Sequence, residues 1–110
     1  MSLALCFNCG NVKFGALCEC DKCGIASTGD MDLDILFSDW HFSEDVLSKF
    51  GNVIVQIQQN TNDKNLAFWT FLKFISNEYP KILSIDVDER LVNEVEQILA
   101  ELQIERFEIA

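Results

Sequence analysis

Basic side chains are scarce in this sequence: eight Lys and Arg stand against eighteen Asp and Glu, for a formal net charge of -10. Nucleic-acid affinity comes largely from Lys and Arg neutralising phosphates, and no basic stripe is present to overcome the repulsion, so direct contact with nucleic acid is disfavoured. Long hydrophobic runs are missing too. Nothing approaches the roughly 20 apolar residues that span a bilayer, and Met1 to Phe7 lacks the basic start and apolar stretch of a secretion signal, which predicts a cytoplasmic protein with no membrane segment. Histidine occurs once, at His41, and no cysteine follows Cys23. There is no phosphate-cradling glycine loop and no nucleophile elbow, and the carboxylates are scattered without a fixed pairing. His41 lies between Asp39 and Ser43, but adjacency in sequence is not triad geometry. The segment reads as a turn leading into a helix cap, and no catalytic residue is assigned.

Core material, by contrast, is plentiful. Apolar residues make up 49% of 110 positions, with nine Phe and two Trp. A chain of this length buries roughly two-thirds of the surface its unfolded form exposes, which supports a compact body. The charge is unevenly placed. In residues 1 to 29, Lys13 and Lys22 balance Glu19 and Asp21, while residues 30 to 110 hold six basic and sixteen acidic side chains. A neutral head thus precedes an acidic body.

The head contains all five cysteines: Cys6, Cys9, Cys18, Cys20 and Cys23. An odd count without an export signal argues against a disulfide framework, and a reducing cytoplasm disfavours one, so metal is the better reading. Cys6-Phe7-Asn8-Cys9-Gly10 and Cys20-Asp21-Lys22-Cys23-Gly24 are two copies of Cys-x-x-Cys-Gly with ten residues between the pairs. Two residues between cysteines let the chain turn back so that both sulfurs reach one tetrahedral ion. The glycine that follows takes positive φ at little cost and lets backbone N–H groups point at the thiolates. Two such knuckles supply Cys6, Cys9, Cys20 and Cys23, a closed shell with no position left for water or substrate. Cys18 is two residues from Cys20 and could replace it as a ligand, and a metal-free cysteine cluster is the remaining option. Unligated, Cys18 is a small buried hydrophobe or a redox-sensitive spare thiol. Zinc is expected, with iron as its competitor at four thiolates. Between the knuckles, Asn11 to Phe14 and Ala16 to Glu19 flank Gly15 and read as two short strands around a tight turn.

With these motifs, residues 1 to 24 resemble a four-cysteine zinc ribbon. The resemblance implies a zinc-stabilised β-hairpin with Cys6, Cys9, Cys20 and Cys23 as ligands. It also implies service alongside transcription or translation machinery as one option, where the neutral head and acidic body disfavour direct nucleic-acid contact and leave the protein part as the partner.

After a break at Ser27 to Asp30, helical periodicity takes over. A short helix is predicted over Met31 to Phe37. A second carries Val46, Leu47, Phe50, Val53, Ile54 and Ile57 on one stripe, with Ser43 as N-cap and Glu44 and Asp45 complementing the helix dipole, and ends in polar Gln58 to Asn65. Leu66 to Tyr79 is apolar around most of its circumference and predicts a central helix stopped by Pro80, its aromatics serving as core or, alternatively, as a docking surface. Lys81 to Val87 reads as a short strand or extended connector. Asp86 to Glu89 offers an Asp cap with Glu three residues on, opening a last helix whose Leu91, Val92, Val95, Ile98, Leu99 and Leu102 face one way. Phe107 and Ile109 suggest a terminal strand.

The expected fold is small α+β: a zinc ribbon over residues 1–27, a β-hairpin with two zinc knuckles, then an acidic helical domain of three to four helices over 28–110. The expected role is a zinc-binding module for a protein partner or self-association. The alternative is a thiol-redox protein in which Cys18 with Cys20, or either Cys-x-x-Cys pair, cycles between dithiol and disulfide.

Overall fold

The computed structural model describes residues 3–15, 18–25 and 35–104. Two strands, β1 (Leu3–Leu5) and β2 (Val12–Phe14), precede three helices: α1 (Glu44–Asn60), α2 (Lys64–Glu78) and α3 (Glu89–Leu102). The fold is small α+β, an antiparallel hairpin followed by helices. Among the described residues no helix is long and apolar enough to cross a membrane.

The hairpin differs from the one expected between the knuckles. Val12–Phe14 is a strand, but its partner is Leu3–Leu5, with Leu3 opposite Phe14, Ala4 opposite Lys13 and Leu5 opposite Val12. The reason is local. The first Cys-x-x-Cys-Gly is itself the hairpin turn: the Cys6 N–H donates to the Asn11 carbonyl and the Gly10 N–H to the Cys6 carbonyl, both at 2.8 Å. That reversal lays the chain after the knuckle back along the chain before it. Of the expected second strand, Cys18 and Glu19 are not extended in a ladder, and Ala16 and Leu17 fall outside the described residues. The free edge of β1 is met by residues 37 to 39, where the Leu5 N–H donates to the Phe37 carbonyl and the Asp39 N–H to the Leu3 carbonyl, each at 2.8 Å. An isolated bridge joins Ala4 to Ser38.

The described chain divides into two compact units, one up to Val55 and one from Gln56 onward. In the first, an aromatic cluster forms the core. Phe7 meets Phe37 edge-on at 5.3 Å between ring centroids, and Phe37 stacks with Phe42 at 5.9 Å. Phe50 closes the cluster edge-on against Phe37 at 5.4 Å and Phe42 at 5.3 Å. Phe50 sits on the α1 stripe, and all six stripe residues predicted from periodicity are buried. Ser43 caps α1, its hydroxyl accepting from the Val46 N–H at 3.3 Å, and Glu44 and Asp45 occupy the first turn. The helix continues through Gln58 to Asn60, because polar residues on its exposed side do not by themselves end it. Most of the predicted helix over 31–37 lies outside the described residues.

In the second unit, α2 packs against α3. Asp63 starts α2 by accepting from the N–H groups of Asn65 at 3.0 Å and Leu66 at 3.1 Å. Leu66, Phe71, Leu72, Phe74 and Ile75 are buried, while Phe68 and Trp69 are half-buried. Thr70 is buried without penalty because its hydroxyl donates to the Leu66 carbonyl at 2.7 Å. α2 ends at Glu78, ahead of Pro80 as predicted. The connector that follows forms no strand among the described residues. It is held by Ser76, whose hydroxyl accepts from the Ile85 N–H at 3.2 Å. The cap of α3 is Asp88, which accepts from the Arg90 N–H at 2.9 Å, so the Asp86 and Glu89 pairing is not the one used. Arg90 also returns its guanidinium to Asp88 at 3.0 Å. Val95 and Ile98 are buried on α3, with Leu91, Val92, Leu99 and Leu102 half-buried beside them. The predicted strand at Phe107 and Ile109 lies outside the described residues.

Candidate metal centre

The two Cys-x-x-Cys-Gly copies fold alike. In the second, the Gly24 N–H donates to the Cys20 carbonyl at 2.8 Å and the Cys20 N–H to the Ile25 carbonyl at 2.9 Å, repeating the bonds of the first knuckle residue for residue. Gly10 and Gly24 both lie at φ +81°, the left-handed region that the motif's glycine was expected to occupy. The Lys22 N–H points at the Cys20 sulfur at 3.4 Å, so the turn also supplies the expected backbone donor.

These matched turns bring Cys6, Cys9, Cys20 and Cys23 together, with all four sulfurs within 4.8 Å of one another. Across the knuckles, Cys6 Sγ is 3.6 Å from Cys23 Sγ, and Cys9 Sγ is 3.6 Å from Cys20 Sγ. Sulfurs bound at about 2.3 Å to one tetrahedral ion are separated by about 3.8 Å, so the donor set fits a single metal ion and no disulfide. Cys6 and Cys20 are buried, Cys9 and Cys23 half-buried. Cys18 is exposed and not a member of this quartet. Its sulfur lies beside Gly15, at φ +93°, where an added Cβ would come within 2.8 Å of it.

Electrostatics divide the quartet by knuckle. Burial raises the Cys6 thiol and pushes Cys9 up to about 12. Burial also pushes on Cys20, but is outweighed by the N–H groups of Cys23 and Lys22 and the Asn11 amide, which bring it down to about 6. Cys23 is likewise lowered against its burial, by the Ile25 N–H and the Asn8 side chain. Each 3.6 Å contact therefore pairs a sulfur whose thiol form is favoured with one whose thiolate form is favoured.

Comparison with known protein families, curated proteins and solved structures finds no match. The described geometry is that of a zinc ribbon-like segment, a four-cysteine cluster at a two-stranded hairpin.

Several supporting residues carried no signal in the sequence. Asn11 donates to Cys20 Sγ at 3.7 Å and to Asp21 Oδ1 at 3.1 Å, tying the first knuckle to the second. Lys13, buried in β2, donates its ammonium to the Cys18 carbonyl at 3.0 Å and pins the segment between the knuckles. Polar residues in a short loop have no periodicity to give them away. Of the His41 segment, His41 and Asp39 are exposed, and the Ser43 hydroxyl is engaged as the cap of α1.

Proposed function

We propose that this chain is a zinc protein in which Cys6, Cys9, Cys20 and Cys23 hold one structural zinc ion, and that the stapled unit is a docking platform for a protein partner. The carrying observation is the four-sulfur cluster, whose 3.6 Å cross-knuckle contacts suit one ion and leave no ligand position open. A closed thiolate shell supports structure rather than hydrolysis, which needs an open position. The same unit presents large apolar side chains to solvent, with Trp40 77% exposed, Phe14 56% and Ile25 47%. Exposed aromatics of this kind favour contact with protein. The net charge of -10 favours a protein partner over nucleic acid, including for any role beside transcription or translation machinery. Affinity capture of the zinc-loaded chain beside its Trp40→Ala variant tests the platform. A partner retained by the first and lost by the second supports it, and equal recovery on both, or none, counts against it.

A second reading rests on Cys18, exposed and two residues from Cys20. Oxidation of Cys18 and Cys20 by peroxide would release two protons and two electrons, join the sulfurs as a disulfide, reduce the peroxide to water and free the metal. Metal loss under mild peroxide, reversed by dithiol, favours this reading, and a metal that stays bound disfavours it.

A further inference from the structure

We infer that metal occupancy of the four-cysteine site controls the docking of α1, up to Val55, through a backbone contact between Gly10 and Gly51. The inference rests on the reading that the quartet holds a metal ion. Gly51 is buried near the middle of a 17-residue helix, a place where glycine weakens the helix and where its backbone is ordinary for any residue. Nothing within α1 calls for a glycine there.

The reason lies across the contact. A Cβ at Gly51 would overlap the Gly10 carbonyl oxygen, and a Cβ at Gly10 would come within 2.5 Å of the Gly51 carbonyl oxygen and 3.1 Å of Val55 Cγ2. The two backbones approach as closely as two glycines allow. Gly10 reaches this position because the first knuckle holds it at φ +81°.

A second contact from the same knuckle reaches the same turn of the helix. Phe7 packs on Phe37 at 5.3 Å, and Phe37 on Phe50 at 5.4 Å, one residue before Gly51. Phe7 lies between two of the candidate ligands, and Gly10 follows Cys9 directly. An ion that fixes Cys6 and Cys9 fixes the pitch of the turn that carries both contacts. Loss of the ion removes that constraint from the surface on which α1 sits. By linkage the effect is reciprocal, so a helix that cannot seat on the knuckle weakens the metal site.

The test uses the full-length chain, with cobalt(II) as the probe and its thiolate charge-transfer absorbance as the readout. Gly51→Ala improves intrinsic helix propensity, so a pure helix effect predicts no loss of metal. The contact predicts instead a loss of about tenfold or more in cobalt affinity. Asn52→Ala, at an exposed neighbouring position, keeps affinity within about twofold. In the wild-type chain, hydrogen exchange of the α1 amides from Val46 to Val55 speeds up by about tenfold or more when the metal is chelated. Equal cobalt affinity in Gly51→Ala, or equal α1 exchange with and without metal, overturns the inference. If Gly51→Ala does not fold, the wild-type exchange comparison decides alone. A wild-type chain that binds no cobalt defeats the zinc reading itself, whereas one that binds cobalt with α1 indifferent to it defeats only this coupling.

Discussion

The four clustered sulfurs divide by knuckle in how firmly they hold their protons. Cys6 and Cys9 are raised by burial, while Cys20 and Cys23 are lowered by the donors around them. Cys20 falls to about 6 and Cys9 rises to about 12, so the first knuckle holds its protons more firmly than the second. A metal ion held by all four sulfurs would displace the protons that remain. Protons compete with the ion, so affinity falls as pH drops and rises as pH increases through this window. Calorimetry in buffers of different ionisation enthalpy should find protons released as the ion binds at neutral pH, and release of none would refute the division between the knuckles. Substitution gives a second check. Cys9→Ser leaves three sulfurs and should lose tight metal binding, whereas Cys18→Ser, outside the quartet, should retain it in a cobalt titration. The quartet was legible because a short motif occurs twice and each copy has one physical use. Asn8, Asn11 and Lys13 were not, since their contacts depend on which loops the fold brings together.

At the scale of elements, legibility followed the strength of periodic signals. The α1 stripe from Val46 to Ile57 reads cleanly because six apolar residues recur at helical spacing, and each of them is buried. β1 and β2 have three residues each, too few for alternation to show, and their pairing was set by the Cys6 to Asn11 turn rather than by propensity. Helix starts depend on single side chains. Asp63 accepts from two backbone N–H groups that would otherwise be left without partners at the start of α2. Replacing it by Ala should cost about 1 kcal/mol in a urea unfolding experiment, while Asp63→Asn should cost less. Identical midpoints for Asp63→Ala and the parent would show that the cap contributes nothing. The choice between Asp86 and Asp88 could not be read from spacing, because it depends on which carboxylate the backbone brings to the Arg90 N–H.

For the molecule as a whole, a head of about 25 residues is too small to build its own core. The structure meets that shortage with aromatic rings drawn from both sides of Ser27 to Asp30, Phe7 before and Phe37, Phe42 and Phe50 after. On the proposed zinc reading the cysteine cluster would supply the other constraint, since a zinc ion bound in such a site contributes on the order of 10 kcal/mol of folding free energy. The charge imbalance was plain from composition, whereas a glycine within α1 gave no hint that it faces the first knuckle. Native mass spectrometry of the reduced, zinc-replete chain, with elemental analysis of the same sample, tests the central claim most directly. The account predicts one zinc ion per chain, while a chain free of metal, or one carrying iron in its place, would contradict it.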